Sequence, residues 1–231
     1  MTILTAHQPV FLPWLGFFSK VSKADLFCSF DAVEYSPRSF ENRNYIKTPN
    51  GPVMLTVPVT HKAGDRCCDV EIAAGPWARK HMRSIELAYK KATFFEQHFA
   101  GVGAIIDLYA EGGLLAELNM DLMRYFLRAL GIQIPIVKAS DYGFEGEKSD
   151  LVLDMCRKLK ATTYIFGGEG QSYADTAAFS AAGVLCQFER YEHPTYRQQH
   201  GTFVPRLSTL DLLMNEGPAS AGILLAAETV A

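Results

Sequence analysis

His7-Gln8 closes one apolar run, Ile3 to Ala6, and Asp31 closes the next, Leu26 to Phe30. An imidazole titrates near neutrality and can take a proton from an amine or hydroxyl. A carboxylate beside it could fix its tautomer or accept a substrate amine, and a neutral amide could orient a carbonyl. His7, Asp31 and Gln8 are therefore the candidate catalytic residues. Each also has a plainer reading: a strand-end histidine bonded to a backbone carbonyl, and an aspartate that caps or turns the chain.

Arg38, Arg43 and Lys47 fall within ten residues, interleaved with Asn42 and Asn44. A guanidinium fork and an ammonium suit phosphate or carboxylate, so Asn42, Arg43, Asn44 and Lys47 are candidate binding residues. A sugar nucleotide, a pantetheine-type thioester or an acyl phosphate would fit; a solvated loop is the competing reading. Gly167-Gly168-Glu169-Gly170 follows an apolar run, with Tyr173 just beyond. Its backbone amides could approach an anion, but it has neither dinucleotide-binding nor Walker spacing, and a turn needing glycine explains it equally well. Tyr191, His193, Tyr196 and Gln198 offer aromatic faces with a polar rim, which suits a sugar or a base. His7, Asp31 and His193 lack any fixed ligand spacing, so no metal is expected, and no cofactor either. Cys28 and Cys156 lie on apolar faces and read as packing residues.

The elements that must position these groups follow from periodicity. The segment from Ile3 to Asp31 reads as strand, turn, helix, strand, with Phe17, Val21 and Ala24 on one helix face. Asn50-Gly51 marks a tight turn between 44–48 and 53–59, a hairpin. A helical stretch opens at Trp77 and is punctuated by glycines into about three helices, before a strand over 132–137. A helix from about 147, a strand over 162–166, a short helix over 173–182, a strand over 184–188 and a capped helix from Ser208 complete the pattern. This predicts an α/β fold with a mainly parallel sheet. It would form a single domain over 1–218, with a helical subregion inserted around 77–130 and a loosely ordered tail at 219–231. In such sheets ligands bind at the carboxyl ends of the strands, which places His7, Gln8 and Asp31 near one site.

Composition limits the function classes. Apolar residues make up 48% and charged residues 20%, as in ordinary globular proteins. A net charge of -3 gives no reason to expect duplex nucleic acid or an anionic membrane as partner. No apolar run is long enough to span a bilayer, and the N-terminus lacks a basic region leading into an apolar core, so a cytoplasmic location is expected. Five irregularly spaced cysteines read as reduced thiols.

Several of these residues carry a resemblance. His7-Gln8-Pro9 with Leu12-Pro13-Trp14-Leu15-Gly16, Asn42-Arg43-Asn44, Gly167-Gly168, Tyr191-Glu192-His193-Pro194, Tyr196 and Gln198 resemble the WbqC-like family of bacteria, over about residues 3–218. That family is linked to O-antigen and other surface-polysaccharide gene sets, and its members are described as glycine transferases acting on amino sugars. A weaker resemblance is to nucleotidyltransferases of the HIGH-motif class, which also begin strand, turn, helix, strand. Leu12-Pro13-Trp14-Leu15 stands where that class carries two histidines, so only a remodelled nucleotide-binding architecture is implied.

The leading expectation is an enzyme that transfers an acyl or aminoacyl group to a small amine such as an amino sugar. In it His7 would remove the amine proton, Asp31 would orient His7, and Gln8 with Asn42 would position the carbonyl. Arg43 and Lys47 would hold the donor's phosphate or carrier. The partners expected are small molecules, a sugar nucleotide or a carrier-bound acyl donor among them, and a homo-oligomer is compatible. Two rivals stand beside it. One is nucleotide-dependent activation of a carboxylate on a nucleotidyltransferase-like fold. The other is a non-catalytic protein that binds a sugar nucleotide.

Overall fold

The computed structural model describes residues 1–226. The chain runs β1 (Ile3–His7), α1 (Leu15–Ser22), β2 (Leu26–Ser29), the hairpin β3 (Arg43–Thr48) and β4 (Gly51–Thr56), and the short pair β5 (Val59–Thr60) and β6 (Glu71–Ile72). Helices α2 (Trp77–Tyr89), α3 (Phe95–Leu108) and α4 (Leu115–Ala129) follow. The rest is β7 (Ile136–Lys138), α5 (Lys148–Lys158), β8 (Thr163–Phe166), α6 (Thr176–Ala181), β9 (Leu185–Phe188), α7 (Thr209–Glu216) and α8 (Ser220–Ala226).

Five strands form one parallel sheet in the order β7-β2-β1-β8-β9. The α/β fold with a parallel sheet is thus present. Strand addition reverses direction between β1 and β8, so a crevice opens there beyond their carboxyl ends. Helices cover both faces. On one, Leu4, Ala6, Cys28 and Phe166 pack with Val152, Met155 and Cys156 of α5 and Phe179 of α6. On the other, Phe27 packs with Phe17, Phe18 and Val21 of α1 and with the larger core built from α2, α3, α4 and α7. Each such buried side chain contributes about 1.5–3 kcal/mol through area removed from water. Asp25 ties the two leading strands at their start, where its carboxylate accepts the Ile3 amide at 2.9 Å.

The hairpin forms as the Asn50-Gly51 signal predicts, with Thr48 opposite Gly51 and Gly51 at φ +102°. Several boundaries differ from the sequence reading, among them 53–59, which is strand over Gly51–Thr56, and 173–182, which is helix over Thr176–Ala181. The strand expected over 132–137 begins only at Ile136, because Pro135 has no amide proton and serves instead as an acceptor, its carbonyl taking the Phe27 N–H at 3.0 Å. The tail expected to be loose over 219–231 is helical from Ser220 to Ala226, anchored by buried Leu224; 227–231 lie outside the described residues. Among the described residues no helix is long and apolar enough to cross a membrane.

Candidate active site

The crevice at the β1/β8 reversal holds two chambers, of about 590 and 580 Å³, which share His7, Lys20, Gly167 and Glu169. One extends toward α5, past Phe30, Leu151 and Tyr173. The other extends along α1 toward the end of β9, past Trp14, Gly16, Glu189 and Tyr191. A groove of about 670 Å³ between α2 and α3 is larger, but its walls are alanines, a glycine, Met82, Phe99 and surface charges, with no histidine, lysine, cysteine, serine or tyrosine. Titratable side chains gather at the junction of the two chambers, where His7, Lys20 and Glu169 are shared.

His7 enters that junction because β1 ends there and Gln8-Pro9 turns the chain away. Its Nδ1 lies 2.9 Å from the Gln8 carbonyl, which can only accept, so Nδ1 carries the proton and Nε2 offers a lone pair. Nε2 has no hydrogen-bond partner among the described residues. The ring is clamped edge-on by Trp14 and Phe17, with centroids 5.5 and 5.3 Å away. Burial, helped by the nearby Lys20 cation, pushes the imidazole pKa down to about 3. His7 is therefore neutral at physiological pH and a poor proton acceptor. The role of general base expected for it gives way to that of a neutral hydrogen-bond acceptor.

Lys20, which the sequence reading passed over, also enters the junction. It lies on the buried face of α1, one turn beyond Phe17 and Gly16, and is only 5% exposed. Its Nζ donates to the Ala6 carbonyl at 2.8 Å. Burial lowers its pKa to about 8, against the opposing pull of Glu189. A lysine poised there can release or take a proton near neutrality. The signal was present: within Leu15-Gly-Phe-Phe-Ser-Lys-Val-Ser22 a lysine stands three residues after Phe17, on the face that must be buried. Glu189 is fixed by Lys23 at 3.0 Å and by the Ser19 hydroxyl at 2.8 Å.

The glycine run after β8 makes the opposite wall. Gly170 must be glycine, since a Cβ there would lie 2.4 Å from that of Phe166, while Gly167 and Gly168 have open space before them. Gly168 lines the β9-side chamber and Tyr173 the α5-side chamber, as their candidacy implied. Tyr191 also reaches the crevice, its ring lying against Gly16: a Cβ on Gly16 would be 2.8 Å from Tyr191 Cδ1 and 3.1 Å from Trp14 Nε1. His193 stands behind Tyr191. Its Nε2 takes the Arg206 amide at 3.3 Å, and its Nδ1 lies 2.9 Å from the Tyr191 hydroxyl. Burial and the Arg206 cation lower its pKa to about 4, so the ring is neutral. With Nε2 accepting, Nδ1 must donate to Tyr191, which leaves the phenolic proton available to a ligand.

Gln8 lines the α5-side chamber beside His7, and the other candidates hold the fold. Asp31 does not orient His7: its two carboxylate oxygens accept the Ser140 amide at 2.9 Å and the Ser140 hydroxyl at 2.8 Å. Asn42 donates to the Val57 carbonyl at 2.9 Å, and Arg43 to the Ser39 carbonyl at 3.1 Å. Asn44 donates to the Leu12 carbonyl at 2.7 Å, fixing a residue whose φ is +46°. Lys47 is buried and donates to the Thr202 carbonyl at 2.6 Å and to Gln198 at 3.2 Å. Tyr196 donates to buried Asp211 at 3.0 Å, and Tyr89 does so at 2.9 Å. The basic loop is thus a hairpin whose polar side chains are spent inward, and none of Asn42, Arg43, Asn44, Lys47, Tyr196 or Gln198 lines either chamber. Burial raises the thiol pKa of Cys28 and of Cys156 to about 12, so both pack as thiols.

The family model described as the WbqC-like protein family matches residues 8–223. The "Uncharacterized protein Rv1507c" of Mycobacterium tuberculosis (strain ATCC 25618 / H37Rv) is 32% identical over 216 residues, covering 91% of this chain and 92% of that protein. No solved structure matches the chain.

Proposed function

The chain belongs to the WbqC-like protein family, and from that premise we propose that it is a cytoplasmic enzyme of bacterial polysaccharide synthesis that transfers an acyl or aminoacyl group to a small amine, such as an amino sugar. One observation carries the reading: two chambers of similar size meet at a shared set of polar side chains, His7, Lys20 and Glu169. Group transfer needs two substrates brought together at one reacting centre, and such positioning supplies much of the rate.

In the proposed reaction the amine arrives as its ammonium ion. Lys20, in its neutral form, takes one proton, and the amine nitrogen attacks the acyl carbon. A C–N bond forms, the bond from the acyl carbon to the carrier breaks, and the carrier leaves with the electron pair. The second proton lost by the nitrogen goes to the carrier. His7 Nε2 accepts a hydrogen bond from the attacking N–H and so orients its lone pair, without becoming charged. The Tyr191 hydroxyl is free to donate to a substrate oxygen.

The test is amide formation followed by mass spectrometry, with amino sugars as acceptors and acyl or glycyl thioesters and phosphates as donors. An acceptor that gains the acyl mass with wild type, and not with Lys20→Met, is the expected result. A second reading is favoured by the strand order alone. The reversal between β1 and β8 is a common place for nucleotides, so carboxylate activation by a nucleoside triphosphate remains the rival. Exchange of pyrophosphate into ATP, with no amide from any preformed donor, would replace the first reading by the second.

A further inference from the structure

The groups that the two chambers do not share differ in character. The α5-side chamber is walled by Phe30, Tyr164 and Tyr173 and by aliphatic Val33, Leu151 and Val152, and its one unshared charge is Lys148, at the first residue of α5. Lys148 sits at φ +49°, a conformation side-chain-bearing residues rarely adopt, so the chain tolerates strain at this rim. The β9-side chamber is walled by Trp14, Phe17 and Tyr191, and its one unshared charge is Glu189. Both chambers carry three aromatic side chains; only the α5 side adds aliphatic walls and a cation of its own, and only the β9 side adds a carboxylate.

We infer that the chambers divide the substrates, the α5 side taking an acyl group on a phosphate-bearing carrier and the β9 side taking the amine acceptor. This assignment rests on the acyl-transfer reading and adds to it where each substrate lies. An acyl chain gains by leaving water for Phe30, Val33 and Leu151, while Lys148 faces the carrier's phosphates. An ammonium is attracted by a carboxylate and by the faces of tryptophan and tyrosine. Glu189 already neutralises Lys23, so the aromatic faces and the shared Glu169 supply much of the acceptor's pull. Both substrates then reach the same two groups: the acyl carbon from one side and the nitrogen from the other, at His7 and Lys20. Coenzyme A thioesters and acyl phosphates present the same chemistry here, and the probes separate them.

The experiment is photolabelling of the whole chain with 4-azidobenzoyl-coenzyme A, with labelled peptides located by mass spectrometry. The same chain is assayed in parallel for amide formation from acyl thioesters and acyl phosphates. The expected result is label within 148–152 or on Tyr173, lost in Leu151→Trp and kept in Tyr191→Phe. A Leu151→Trp chain that keeps the wild-type melting temperature shows that the loss reflects a filled chamber. Label on Trp14 or Tyr191 would overturn the assignment and leave acyl transfer standing. Amide formation from acyl phosphates without any label, and without loss of activity in Leu151→Trp, would also overturn it. No label and no amide from either donor type would overturn the assignment together with the reading beneath it.

Discussion

The ammonium of Lys20 lies 2.8 Å from the carbonyl of Ala6, the residue that immediately precedes His7. One hydrogen bond thus locks α1 to the end of β1 and sets a buried cation beside a neutral imidazole. The coupling runs one way: burial and then the Lys20 cation hold His7 near 3, whereas burial alone holds Lys20 near 8 against the pull of Glu189.

Activity should therefore rise with pH. The proposed base is neutral Lys20, so kcat/KM should climb through an apparent pKa near 8 and fall again only as the acceptor ammonium loses its own proton. Lys20→Arg should remove this limb along with most turnover, because guanidinium does not deprotonate. A wild-type profile flat between pH 7 and 9 would exclude Lys20 as the base.

The same residue should cost stability. Its folded-state pKa lies below its unfolded value, so the unfolded chain binds the extra proton between about pH 8 and 10.5. Stability then rises with pH through that window, and the full penalty is present below it. A shift of that size corresponds to about 3 kcal/mol, and loss of the Ala6 hydrogen bond offsets about 1 kcal/mol. Lys20→Met should therefore be about 2 kcal/mol more stable than wild type at pH 7 by urea unfolding, yet inactive. A variant less stable than wild type would show that the buried cation is better solvated than its 5% exposure implies.

Gly16→Ala should affect ligand binding more than folding. Alanine is the better helix former by about 1 kcal/mol, but its Cβ would press on Tyr191 at 2.8 Å, an overlap that costs about 1–3 kcal/mol. The net loss of stability should be about 1 kcal/mol or a little more, whereas the KM for the amine acceptor should rise clearly as Tyr191 is pushed into the chamber. Unchanged acceptor KM in a folded variant would detach Tyr191 from substrate binding.

Asp31→Asn separates the catalytic from the structural role. Its carboxylate is saturated by the Ser140 amide and hydroxyl, so the variant should lose about 1–3 kcal/mol of stability, as when a partner of buried donors is weakened. The kcat of the folded protein should stay close to wild type. A large fall in kcat with unchanged stability would return Asp31 to the catalytic group. Arg43→Ala should likewise leave donor KM unchanged, since its guanidinium is bonded to the Ser39 carbonyl on the hairpin.

The parallel sheet and His7 were legible because both depend on local patterns. Apolar runs of strand length alternate with helical faces, and a polar residue at a strand end falls by geometry at a site. The basic loop misled because residue type says what a side chain can bind, not which way a hairpin turns it. Along β3, Asn44 and Lys47 are buried, one bonded to the 11–12 backbone and the other to the 201–202 backbone. Those partners lie far away in sequence. Lys20 was overlooked for the converse reason. A single lysine on an apolar helix face looks like a solvated interruption until the strand carbonyl that satisfies it is known. Tyr191 is legible only as part of an aromatic segment with a polar rim, and residue type does not separate it from Tyr196, which bonds to buried Asp211 instead.

Acid should destabilise the fold through its neutral histidines. His81 is 6% exposed, its Nε2 lies 3.1 Å from the Thr56 carbonyl, and its Nδ1 is buried without a partner. Burial disfavours the charged ring and lowers its pKa to about 4, and the added N–H would have nothing to accept it. The unfolded chain then binds a proton that the folded chain refuses, and stability is lost as pH falls from 6.5 toward 4. One such histidine contributes about 3 kcal/mol over that range. Glu41 and Asp211, whose pKa values burial raises, act in the opposite sense, so total stability alone does not isolate the effect. His81→Gln can keep the donor to Thr56 but cannot titrate. The difference in unfolding free energy between wild type and His81→Gln should therefore shift by about 3 kcal/mol, in favour of the variant, between pH 7 and pH 4. A difference that stays constant with pH would mean that His81 is protonated in the folded protein, and that Nδ1 finds an acceptor.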